Sequence, residues 1–244
     1  MHGFACSLQD WQAQVQYFQE SHQVVACDLR AHGQTPGRPE ECTIAHYGGD
    51  VAALANNLEL RNVVLVGHSM GCRVVLEANR LTPERVGGIV LIDGSRQAMG
   101  DPDVAEAAAR AAISAAGGYA AFAENLFRQM FFTPSAQADA IVARALRQSR
   151  DFGPYLWPSM GRWDAGEMDA ALAAVRVPLL AIQSTTRDAQ LRRSPLKRGQ
   201  SSPYLDLIRS KVPGAQVAVV PDTGHFAQIE APDEVNRLIA ELMQ

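Results

Sequence analysis

Gly67-His68-Ser69-Met70-Gly71 follows directly on an apolar, β-branched run, Val63 to Val66, and leads directly into a stretch with helical periodicity, Met70 to Leu81. No other segment constrains the fold as tightly. A strand that becomes a helix within a single turn forces backbone against backbone, which the two flanking glycines allow. Such a turn lifts the Ser69 hydroxyl clear of the strand and aims the first N–H groups of the helix at the same point. It also predicts its surroundings, because a strand feeding straight into a helix is half of a βα unit, the repeating piece of a parallel sheet.

The rest of the chain keeps that rhythm. Val24 to Leu29, Ile89 to Asp93, Leu179 to Gln183 and Val217 to Val220 are short, continuously apolar and followed by turn signals, the pattern of strands buried on both faces. Helices are expected from Ser7, with Asp10 at capping-box spacing, to about Gln19, over Ile44 to Leu58, and from Pro232 to the C-terminus. From Ser95 to about Val175 no strand pattern occurs, and alanine-rich helical segments (Val104–Ala116, Ala121–Phe132, Ala136–Gln148) fill the gap. The expected organisation is an α/β core of residues 1–94 and 176–244 with an all-helical cap of residues 95–175. The cap would lie over the C-terminal edge of a mostly parallel sheet flanked by helices, where open α/β sheets place their ligands.

Composition narrows the partners. A net charge of −4 with Lys and Arg scattered along 244 residues lacks the basic stripe of a nucleic-acid binder and points to a small-molecule substrate. No apolar run approaches the roughly 20 residues that span a bilayer, and no secretory signal opens the chain, so no membrane association and a cytoplasmic location are expected. Cys6, Cys27, Cys42 and Cys72 have neither C-x-x-C spacing nor paired histidines downstream, and read as reduced thiols with no metal site. Oligomeric state is left open.

A serine hydroxyl needs a base within reach. His225, in VAVVPDTGHF after the last expected strand, is the candidate; His22, His32 and His46 read as surface or turn residues, and His68 lies inside the Ser69 turn. With these residues in place the chain resembles α/β-hydrolases of the single-domain, helical-cap type. The resemblance runs over nearly the whole length: His2-Gly3-Phe4 matches the oxyanion loop, Cys27 to Gly33 the D-x-R-G-H-G-like turn with Ala31 where a glycine is usual, GHSMG the turn carrying the nucleophile, Val177-Pro178 the opening of a late strand, and Gly224-His225-Phe226 the histidine loop.

The resemblance implies backbone N–H groups of Phe4 and Met70 as the oxyanion hole, and structural roles for His2, Asp28 and Arg30. The acid is open between two positions. Most of the family places it after the penultimate strand, where Asp188 falls one residue late and Arg187 takes the expected site; a second family arrangement places it after the strand that follows the nucleophile, where Asp93 ends IVLID. An ionisable group at the end of a buried strand is costly unless used or paired, which favours Asp93. Met130, Phe131, Phe132, Trp157 and Trp163 are the cap residues expected to line an apolar pocket, and the basic run Arg192, Arg193, Lys197, Arg198 reads as a solvated loop.

The expected activity is cofactor-free hydrolysis of a small, largely apolar carboxylic ester through an acyl-enzyme on Ser69. The same scaffold supports carbon–carbon bond hydrolysis, perhydrolysis, lyase chemistry, cofactor-free oxygenation and non-catalytic ligand reception, so these stand as alternatives. A serine at this turn argues against haloalkane dehalogenation, which needs an aspartate there. In the resemblance a buried strand precedes the His-Gly loop and lies between the strand ending at Leu29 and that ending at Val66. Met1 stands where that strand would finish, which leads to the expectation of a longer parent chain with N-terminal strands amounting to about 20 to 30 further residues.

Overall fold

The computed structural model describes residues 1–188 and 192–244. In chain order its elements begin α1 (Gln12–Phe18), α2 (Ile44–Asn57), β1 (Val63–His68), α3 (Met70–Leu81) and β2 (Val86–Ile92). Five helices follow among the described residues: α4 (Pro102–Ala115), α5 (Tyr119–Arg128), α6 (Ala136–Gln148), α7 (Gly153–Gly166) and α8 (Met168–Ala173). The chain then returns to the sheet as β3 (Leu179–Gln183), β4 (Thr185–Arg187), β5 (Arg193–Pro195), α9 (Pro203–Lys211), β6 (Gln216–Val219), α10 (Ala227–Glu230) and α11 (Pro232–Leu242).

The apolar runs form a four-stranded parallel sheet in the order β1-β2-β3-β6, and β4 and β5 make a separate antiparallel pair. Alternation along the central strands explains why both faces are covered. Ile89 and Leu91 of β2 and Leu179 and Ala181 of β3 point to a core shared with α2, α3 and the inserted helices, while Val90, Ile92, Leu180 and Ile182 point the other way, onto Trp11, Phe18, Val235 and Ile239. The sheet is therefore a partition between two apolar layers. All its C-terminal ends open on one edge.

Val24 to Leu29 does not form the expected strand: it is extended but joins no ladder. Strand formation needs a paired neighbour, and on that side of β1 the backbone partner among the described residues is Met1, whose amino group donates to the Val66 carbonyl and whose own carbonyl accepts from His68 N–H at 3.0 Å. The remaining length of β1 on that side faces a groove of about 430 Å³, with Val24, Val25 and Cys27 on one wall and Val63 to Val66 on the other. Burial lowers the pKa of the Met1 amino group to about 6.

Two further residues differ from expectation for local reasons. His32 is fully buried, its ring 4.3 Å from that of Phe152 and its Nδ1 on the Arg30 carbonyl at 3.0 Å, so burial lowers its pKa to about 4. Ala31, standing where glycine is usual in the resemblance, adopts φ 61°, a left-handed conformation that costs a residue with a Cβ roughly 1–2 kcal/mol.

The inserted helices are tied to the core by one buried ion pair. Arg73 of α3 reaches Asp164 of α7 through Nε to Oδ1 and Nη2 to Oδ2, both 2.7 Å, and Asp164 also accepts from Gln97 N–H at 2.6 Å. Both side chains are shielded from water, at 1% and 0% exposure.

Candidate active site

At the C-terminal end of β1 the chain turns through Ser69 at φ 55° and ψ −112°, a conformation L residues rarely adopt. Close approach requires both flanking glycines: a Cβ on Gly67 would stand 2.3 Å from the Gly71 carbonyl oxygen, and one on Gly71 would stand 2.3 Å from that of Met1. Ser69 begins α3, yet its hydroxyl caps no helical N–H. It is bonded to His225 Nε2 at 2.8 Å instead.

His225 sits in the loop after β6. Its backbone is held from two sides: its N–H donates to the Met130 carbonyl at 2.7 Å, and its carbonyl accepts from His68 Nε2 at 2.8 Å. The buried His68 ring also lies 4.7 Å from that of His225. His225 Nδ1–H donates to Asp93 Oδ2 at 2.6 Å, which fixes the tautomer that leaves Nε2 free to accept the serine proton.

Asp93 follows β2 in a left-handed conformation, φ 46°. Besides His225 it accepts from Ser184 N–H at 2.9 Å, Thr185 N–H at 2.8 Å, the Thr185 hydroxyl, and Arg193 Nη1 at 3.0 Å. Burial alone would raise its pKa, but the His225 bond, Arg193 and Thr185 hold it down at about 2. For His225 burial dominates and Arg193 adds to it, against the pull of Asp93, so its pKa falls to about 4 and the ring is neutral near pH 7.

The structure thus brings Ser69, His225 and Asp93 together in one hydrogen-bonded line and leaves Asp188 outside it. Asp188 is 39% exposed and paired with Arg192 at 2.8 Å. Phe4 and Met70 are both buried, Met70 in the first turn of α3 and Phe4 next to Gly3, where an added Cβ would stand 3.2 Å from that of Ser69. Of the expected pocket residues, Trp157 packs edge-on against Phe4 at 5.6 Å, and Phe131 stacks on Phe226, beside His225, at 4.8 Å. Buried Met130 meets the site through its carbonyl on His225, as above. Phe132 is 40% exposed, and Trp163 of α7 donates to Glu77 of α3 at 3.2 Å, which places it in the seam between those two helices.

The basic run is only partly solvated. Arg192 is 74% exposed, but Arg193 is 6% exposed and turned inward onto Asp93 by the β4–β5 pairing. Arg193, Thr185, His68 and the Met130 carbonyl are members of the site that the sequence pattern did not mark; the one available signal was the alternation in Arg192-Arg193-Ser194, which puts neighbouring side chains on opposite faces of a strand. Among the described residues no group of three or more His, Cys, Asp or Glu side chains stands where it could hold a metal ion, and no helix is long and apolar enough to cross a membrane.

The sequence matches the family model described as "Alpha/beta hydrolase family" over residues 1–238. It is 26% identical, over 97% of its length, to a dihydrolipoyllysine-residue acetyltransferase component of the acetoin cleaving system from Pseudomonas putida, and spans 60% of that relative. A bifunctional esterase/perhydrolase of Acinetobacter calcoaceticus is 41% identical, over 29% of this chain and 26% of that protein. Among solved structures, a thermophilic esterase from Thermogutta terrifontis superimposes with a TM-score of 0.76 at 24% identity, covering 99% of this chain and 87% of that one, a likeness of fold.

Proposed function

The chain belongs to the alpha/beta hydrolase family, and from that premise we propose that it is a serine hydrolase cleaving a small carboxylic ester through an acyl-enzyme. The observation that carries this reading is the bond of 2.8 Å from the Ser69 hydroxyl to a neutral His225 whose other nitrogen is fixed at 2.6 Å on ionised Asp93.

Each step follows from these contacts. Ser69 Oγ attacks the acyl carbonyl as its proton passes to His225 Nε2. The imidazolium that results is stabilised by Asp93, itself kept anionic by its own donors. Backbone N–H groups of Met70, at the start of α3, and Phe4 are assigned to the oxyanion, where one such donor is worth roughly 3 kcal/mol of barrier. His225 returns the proton to the departing alcohol. Water, deprotonated by the same nitrogen, then attacks the acyl-enzyme, and collapse of the second intermediate releases the acid and restores the Ser69 hydroxyl.

The test is turnover of p-nitrophenyl acetate and butyrate, with covalent labelling by a fluorophosphonate, in wild type and Ser69→Ala. Wild type turns over both esters and labels, and the variant does neither. A wild-type chain that neither turns over nor labels sinks the reading.

A further inference from the structure

Arg187, the last residue of β4, is a guanidinium with no carboxylate paired to it among the described residues. Its Nε and Nη2 are shielded from solvent and have no hydrogen-bond partner among the described residues. Its guanidinium meets a ring instead, with Cζ 6.0 Å from the centre of Trp157. A buried cation left in this state is expensive, and cation–π attraction of about 1–2 kcal/mol does not replace a carboxylate.

The neighbouring charges make the deficit explicit. Arg187 feels Arg73 and Arg193 as like charges and Asp164 and Asp93 as opposite ones. Both carboxylates are already occupied, Asp164 by both arms of Arg73 and Asp93 by Arg193 and His225. Among the described residues three guanidinium groups therefore face two carboxylates, which leaves one positive charge uncompensated there. Burial lowers the Arg187 pKa, but only to about 9, so the side chain remains charged near pH 7.

Its position relates that charge to the reacting atoms. Trp157 touches both Arg187, whose Cζ is 6.0 Å from its ring centre, and Phe4 of the N-terminal loop, whose ring is 5.6 Å away. Two residues back along β4, Thr185 holds Asp93, and Arg187 contributes to the positive field on His225. A ligand that placed an acyl carbon on Ser69 and ran along Trp157 would extend toward Arg187.

Resting on the serine-hydrolase reading above, we infer that Arg187 is a substrate-binding residue and that the substrate is an ester or lactone bearing a carboxylate, which pairs with this guanidinium. The apolar part of the site then accounts for the stretch between the two ends, and the anion supplies the missing counter-charge.

The test uses monomethyl succinate, glutarate and adipate, each beside the neutral methyl ester in which an amide replaces the carboxylate, followed by pH-stat. For at least one chain length wild type prefers the anion in kcat/KM by about 10- to 100-fold, the value of one buried charge-assisted bond. Arg187→Gln brings that ratio to about one, and Arg187→Lys retains part of it. A binding arm needs no turnover: calorimetry with the preferred monoester on Ser69→Ala gives a dissociation constant that rises at least about 10-fold in Ser69→Ala/Arg187→Gln.

No anion preference at any length, or equal binding by the two variants, overturns the assignment of Arg187. Should wild type fail to turn over p-nitrophenyl butyrate and fail to label, the hydrolase reading falls, while the binding arm still decides whether Arg187 holds a carboxylate.

Discussion

Replacing Asp93 by asparagine tests the proposed mechanism at its most determined point. The carboxylate accepts from five donors, with Ser184 N–H and Thr185 N–H on Oδ1, and His225, Arg193 and the Thr185 hydroxyl on Oδ2. An amide oxygen can keep the two backbone bonds on one side, which turns the amide NH2 toward His225. The ring answers by accepting at Nδ1 and carrying its proton on Nε2, the nitrogen that faces Ser69 at 2.8 Å. A base protonated there cannot take the serine proton. The expected loss in kcat is ~10⁴, or ~5.4 kcal/mol at ~1.36 kcal/mol per factor of ten. The assay is steady-state hydrolysis of p-nitrophenyl butyrate by Asp93→Asn and Asp188→Asn, with circular dichroism and thermal melting to show that each variant is folded. Asp188→Asn changes kcat less than about two-fold, because Asp188 stands outside the hydrogen-bonded line of Ser69, His225 and Asp93, and its exposed pair with Arg192 is of a kind worth at most ~1 kcal/mol to stability. A folded Asp93→Asn retaining more than about a tenth of wild-type kcat, or an equal loss in Asp188→Asn, refutes the tautomer argument.

Three other outcomes follow from the same contacts. Asp164→Asn leaves Arg73 buried without its partner and costs about 3–5 kcal/mol, a fall in melting temperature of roughly 6–20 °C for a chain of this size, whereas Arg73→Met/Asp164→Leu stays within about 2 kcal/mol of wild type; equal losses in calorimetric melts of the single and double variants disprove the clamp. His2, His32, His68 and His225 are all buried with lowered pKa values, so each is neutral in the fold and takes up a proton on unfolding below about pH 6.5. Stability is full above that pH and falls toward pH 4 by up to ~5 kcal/mol per pH unit, read from urea midpoints, and a flat profile over that window contradicts the burial of these rings. The acid limb of kcat/KM lies near the His225 value of about 4, and Arg193→Gln moves it upward by removing a positive neighbour; a limb at 6.5 in wild type is the contrary result.

What the sequence made legible was whatever depends on local pattern. The runs that became β1, β2, β3 and β6 are apolar enough to be buried on both faces wherever they lie, and the Ser69 turn needs its two glycines whatever surrounds it. Helix α7 escaped because its register is set by aromatics and by Pro158 within its span, with no alanine-rich or amphipathic stripe to announce it. Val24 to Leu29 failed in the opposite direction: its composition is that of a strand, but pairing belongs to two segments, and the slot beside β1 is a groove bridged at Met1.

Charged side chains mark the limit of local reasoning most clearly. Asp93 and Asp188 both follow strands, and spacing left both open as the acid. Three-dimensional placement separates them, because Ser184 N–H, Thr185 N–H and Arg193 converge on one carboxylate while the other faces water. Three arginines that look alike in the chain divide in the same way. Arg73 meets a buried carboxylate and clamps the inserted helices. Arg193 leaves a surface-looking basic run to support the triad acid. Arg187, beside them and short of a partner, is the one whose burial the protein's own charges do not balance. Folding selects against an unpaired buried charge unless something else is gained by it, so the place where charge pairing stops within the chain is where a ligand has to complete it.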